Sequence, residues 1–124
     1  MKFIKQRIKS FSYAIKGALL LLKEEPNVRI HISAGLLAIL AGFLFQISLV
    51  EWLIVIICIG GVLALEAINS AIECLADYVS PEKQELIKKT KDLAAAGVLI
   101  ISIASLIIGL LVFIPKLMLL LDAV

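Results

Sequence analysis

Three long apolar runs, Ile30 to Val50, Trp52 to about Val79 and Leu93 to Ile114, leave this chain little choice of fold. A helix needs roughly 20 apolar residues to cross a hydrocarbon core about 30 Å thick. Inside lipid, a single segment satisfies its own backbone N–H and C=O groups only as a helix. The runs therefore predict an all-α integral membrane protein. With 124 residues, 62% of them apolar, and a mean hydropathy of +1.11, the chain has no room for a separate soluble domain. It reads as a single membrane-embedded domain, 1–124, with spans at about 29–49, 52–79 and 81–114.

Residues before the first run carry a second pattern. Ile4, Ile8, Phe11, Ile15, Leu19 and Leu22 fall on one helical face, with Lys2, Lys5, Lys9, Lys16 and Lys23 gathered opposite. That predicts an amphipathic surface helix at about 3–24, its lysines toward anionic headgroups. Lys16 and Lys23 interrupt any signal-peptide core and no small-residue cleavage site follows, so the N-terminus reads as mature sequence. Pro26 ends this helix or starts the next, and Ser80-Pro81-Glu82 reads as the start of the third span, closed by Pro115. Cys58 and Cys74 stand 16 residues apart on one predicted helix, about 24 Å along its axis, too far to bridge.

Basic residues fix the expected orientation. Lys2, Lys5, Arg7, Lys9, Lys16, Lys23 and Arg29 precede the first span, and Lys83, Lys88, Lys89 and Lys91 follow the second, whereas the link between the first two spans has none. The positive-inside rule then puts the N-terminus on the cytoplasmic side of the inner membrane and the C-terminus outside.

The second run is where chemistry enters. ALEAINSAIECLADYV, residues 64 to 79, carries Glu66, Asn69, Glu73 and Asp77. On a helix Glu73 and Asp77 each lie about 20° from Glu66 in projection. With Trp52 at the outer interface, Glu66 sits about 21 Å further along the axis, inside the cytoplasmic leaflet, with Glu73 near its edge. An acid at such depth is expensive and faces a cavity or a partner. It suits a lipid alcohol, whose hydroxyl lies near headgroup level and whose proton Glu66 can accept while a nucleotide approaches Glu73 from water. Glu25 and Glu73 are oxygen donors of the kind magnesium takes together with phosphate, and Lys91 beside Asp92 can hold phosphate oxygens. Neither a Walker A sequence nor GxGxxG is present. Two other readings stay open on these residues alone: polar contacts between helices, and a small oligomeric transporter or channel with Glu66 and Asn69 lining the pathway. His31 reads as an interfacial histidine. Because three helices cannot hide Glu66, Asn69 and Glu73 from lipid by themselves, an oligomer is expected.

The stretch ALEAINSAIECLADYV followed by KKTKDLAAAGVLI resembles the small prokaryotic diacylglycerol kinase family, which includes undecaprenol kinases. SFSYAIKGALLLLKEEPNVRIH resembles that family's surface helix and its link into the first span. The resemblance implies a homotrimer with sites at subunit contacts. It implies ATP- and Mg2+-dependent phosphorylation of diacylglycerol or undecaprenol. It makes Glu66 the catalytic base, Glu25 and Glu73 the magnesium ligands, Tyr13, Glu73, Lys91 and Asp92 nucleotide contacts, and Asn69 a substrate-positioning residue. An arginine of the diacylglycerol-specific branch falls on Gln6 here, with Arg7 one position away, and EEPNVRIH is closer to the undecaprenol branch.

Overall fold

The computed structural model describes residues 1–82 and 84–124 and is all-helical. Its helices are α1 (Lys2–Glu24), α2 (Pro26–Leu44), α3 (Leu49–Val79) and α4 (Glu85–Asp122). The last three are long and apolar enough to cross a membrane. Lys83, one of the basic residues counted above, lies outside the described residues.

The α1–α2 corner is built on a proline. Pro26 pushes Glu25 out of the helical region, to φ −107° and ψ 104°, and takes the first position of α2, where its missing N–H costs nothing. Arg29, one turn into α2, reaches back: its Nε donates to the Leu22 carbonyl at 3.0 Å and its Nη2 to Lys23 at 2.6 Å. These are carbonyls at the end of α1, where a cation is electrostatically favoured. The angle at Glu25 is thereby held from both sides.

α2 meets α3 along a stripe that repeats every seven residues: Val28, Gly35 and Gly42 are its buried positions. A Cβ on Gly35 would lie 3.2 Å from Ile59 Cγ2, and one on Gly42 only 2.6 Å from Trp52 Cη2. The small residues let the backbones approach, as in other membrane helix pairs. Gly42→Ala is expected to lower stability by about 1–3 kcal/mol, the usual range for overpacking, read as a fall in the thermal midpoint in detergent. An unchanged midpoint would show that the Trp52 ring swings aside freely.

The first span was expected to reach about residue 49 and the second to begin at 52. The helix instead stops at Leu44, because a closing motif intervenes. Gln46 takes a left-handed conformation (φ 51°), Ile47 N–H donates to Gly42 C=O at 3.1 Å and Gln46 N–H to Phe43 C=O at 3.3 Å. This is a Schellman closure with Gln in the place usually taken by Gly. α3 then starts on a capping box: Ser48 Oγ accepts from Glu51 N–H, and Glu51 Oε1 accepts from Ser48 N–H at 3.0 Å.

α3 and α4 make the most extensive packing in the chain. Lys116 Nζ pairs with Glu51 Oε2 at 2.5 Å near one end, and Lys91 pairs with Asp77 near the other. The paired residues are 26 apart on α3 and 25 apart on α4, an antiparallel register maintained over about 38 Å.

Two expected boundaries of the third span do not hold. Ser80-Pro81-Glu82 does not open α4. Ser80 is extended and caps α3, its N–H bonded to Ala76 C=O, because Pro81 bars it from the helical region, and α4 begins at Glu85 after Gln84. Nor does Pro115 end the helix, which runs through it to Asp122. A proline removes one backbone donor, a loss that a helix can carry within its length. Lys116 also turns its ammonium back to donate to Val112 C=O at 3.3 Å.

Candidate functional site

Glu66 is the buried charged residue among those described, 3% exposed. The α2–α3 register explains how it gains a neighbour. Gly42 lies against Trp52 and Gly35 against Ile59, and the next step of seven on each helix falls on Val28 and Glu66, both buried. His31, three residues after Val28 and four before Gly35, shares that face of α2. Its Nε2 lies 3.2 Å from Glu66 Oε1. No other ion pair or hydrogen bond reaches the Glu66 side chain among the described residues. A carboxylate removed from water needs such a partner. His31 was expected only at an interface. The signal for its contact lay in its spacing from Val28 and Gly35.

One turn on, Asn69 Oδ1 and Ser70 Oγ are buried without a hydrogen-bond partner among the described residues, as are Ser102 Oγ and Ser105 Oγ on α4. A buried polar atom left unpaired costs free energy.

Two concavities run along α3, one lined by its residues Leu63 to Asp77 and the other by residues Val55 to Val62. The first, of about 880 Å³, lies between α1, α2 and α3 and is lined by Glu24, Glu25, Ser70, Glu73 and Asp77 on its polar side. Glu25, at the bend, and Glu73, half-buried on α3, thus share one groove. No set of three metal-ligating side chains occurs among the described residues. Two carboxylates beside a phosphate nevertheless match what Mg2+ takes, since it keeps several waters and uses one or two protein oxygens.

The second concavity, of about 550 Å³, is an apolar trough between α2, α3 and α4. Small residues floor it, among them Ala34, Gly35, Ala38 and Gly109, and its polar lining is His31, Ser102 and Ser105. Its His31 end lies against Glu66.

The remaining expected residues do not converge on the acidic groove within one chain. Lys91 is engaged by Asp77, which lines the groove, so it stands at the rim. Asp92 is exposed and pairs with Lys88 at 2.9 Å. Tyr13 is also exposed, with Lys16 Nζ 5.9 Å from its ring centre. Arg7 stacks over Phe3 on exposed α1, at 5.3 Å.

Residues 12–113 match the family described as prokaryotic diacylglycerol kinase. Undecaprenol kinase of Bacillus subtilis (strain 168) is 39% identical over 109 residues, covering 88% of this chain and 89% of that protein. Diacylglycerol kinase of Synechocystis sp. is 33% identical over 110 residues, 88% of this chain and 63% of that protein. Diacylglycerol kinase of Escherichia coli (strain K12) is 31% identical over 100 residues, covering 81% and 82% of the two chains.

Proposed function

The chain belongs to the prokaryotic diacylglycerol kinase family and is a lipid kinase, and from that premise we propose that it moves the γ-phosphoryl group of ATP onto the hydroxyl of a membrane lipid alcohol at the cytoplasmic face of the inner membrane. One observation carries the reading: the buried carboxylate of Glu66 touches His31, which lines an apolar trough, while α3 residues on either side of Glu66 line an acidic groove.

Each concavity suits one reactant. The trough takes the hydrocarbon tail, which gains nothing from water, and its His31 end leaves the lipid hydroxyl beside Glu66. The groove takes the triphosphate. Glu66 accepts the hydroxyl proton as the lipid oxygen bonds to the γ-phosphorus. The bond from that phosphorus to the β-bridging oxygen breaks, and ADP leaves with the electron pair. Mg2+, when bound, screens the phosphate charge. Glu25 and Glu73 are the residues that would hold it, and Asn69 positions the acceptor.

Lys91, Asp92 and Tyr13 contact the nucleotide in an assembly, proposed as a homotrimer. One fact supports association: among the described residues of one chain, Lys91 and Asp92 pair with Asp77 and Lys88, and Tyr13 stands exposed on α1 without lining the acidic groove. In the same reading α1 lies in the cytoplasmic interface with its lysines toward headgroups, and the C-terminus is outside. The pathway reading of Glu66 and Asn69 is set aside, since the family's activity is a kinase.

Undecaprenol is favoured as acceptor over diacylglycerol by the higher identity of the Bacillus relative. Radiolabelled ATP with mixed micelles of each lipid, assayed side by side, tests both statements. Label is expected chiefly in undecaprenyl phosphate, and label chiefly in phosphatidic acid would reverse the preference. Transfer to neither lipid from a folded assembly would overturn the reading.

A further inference from the structure

The mechanism above makes no use of His31, although its imidazole is the polar side chain in contact with Glu66 among the described residues. A glutamate side chain has three rotatable bonds and two equivalent oxygens, so in apolar surroundings several arrangements compete. A nitrogen 3.2 Å from Oε1 selects one of them and leaves Oε2 for an incoming proton.

His31 is itself well placed to do this. It sits on the packing face of α2 between buried Val28 and Gly35. Its side chain is about a quarter exposed, and it also lines the end of the apolar trough. A supporting group on a rigid element orients a reacting group more closely than one on a loop. Resting on the proposed role of Glu66 as base, we propose that His31 is a positioning residue that holds the Glu66 carboxylate toward the acceptor hydroxyl. It takes no proton from the substrate and touches no phosphate.

Steady-state kinetics with saturating lipid test this. His31→Ala is expected to lower kcat about tenfold or more, the scale on which such supporting partners act, with KM for ATP within about twofold of the parent, since ground-state nucleotide binding is untouched. His31→Gln places an amide nitrogen within reach of the same oxygen and is expected to restore kcat to within about threefold. A second readout leaves His31 unchanged. The chain has one histidine, so 15N-labelled imidazole gives a single pair of ring-nitrogen resonances. Glu66→Gln is expected to move the Nε2 resonance, and Glu73→Gln to leave it in place.

An undiminished kcat in His31→Ala, a loss that His31→Gln does not repair, or an Nε2 signal blind to Glu66→Gln would each overturn the inference. Should His31→Ala fail to assemble, the resonance decides. Failure of the parent protein to phosphorylate either lipid, or full activity in Glu66→Gln, would instead defeat the reading on which this one rests, and the two failures are separable.

Discussion

Replacing Glu66 with Gln is expected to lower lipid phosphorylation by about 100- to 10,000-fold, the range that a general base supplies, while the protein assembles and melts as before. The amide matches the carboxylate in size and still fills the site, 3% exposed, beside His31. It cannot accept the hydroxyl proton. Stability should be little changed, because the amide keeps the shape of the carboxylate and its oxygen stays within hydrogen-bond reach of His31. That contrast is informative: a residue serving only as a polar contact between helices would show the loss in assembly, not turnover. Activity above about one tenth of the parent's would exclude Glu66 as the base, being less than the effect of a general base.

Glu73→Gln should produce the next largest loss, of a different kind. Glu73 and Glu25 line the same groove. Removing one of two carboxylates is expected to raise the Mg2+ concentration for half-maximal activity at least about 10- to 100-fold, since even indirect supporting partners of a metal site contribute that much. Excess Mg2+ should recover part of the rate, whereas it should do nothing for Glu66→Gln. Superimposable Mg2+ titrations of the parent and Glu73→Gln would remove Glu73 from the metal site. Glu25→Gln should behave like Glu73→Gln, although its position depends on the Pro26 bend and on Arg29.

The three apolar helices and the stripe from Glu66 to Asp77 were legible because each is a property of one segment: length, hydropathy, and the angular spacing of a helix. The helix ends were not, because they depend on which of two competing uses a residue is put to. Ser80 can open a helix or close one, and with Pro81 after it, it closes α3. Pro115 reads as a stop by local propensity, yet α4 passes through it, a proline being tolerated within a membrane helix. His31 was missed for a third reason. Its contact is across helices and follows from the register set by Gly35 and Gly42, whose small size was noticed but whose partners, Ile59 and Trp52, were not. The same limit applies to Lys91 and Asp92. Their spacing suggested phosphate, whereas within one chain they pair with Asp77 and Lys88.

The two ion pairs joining α3 to α4 have a bearing on how the proposed site would sit in a bilayer. They stand about 38 Å apart, more than the roughly 30 Å of a hydrocarbon core. A helix pair fastened above and below the oily layer adapts to a thinner or thicker bilayer by leaning as a unit, not by one helix slipping past the other. Glu66 then keeps a constant height relative to the Asp77–Lys91 clasp. As the host membrane changes its lipids, the level at which grease meets water on this protein stays where the hairpin sets it.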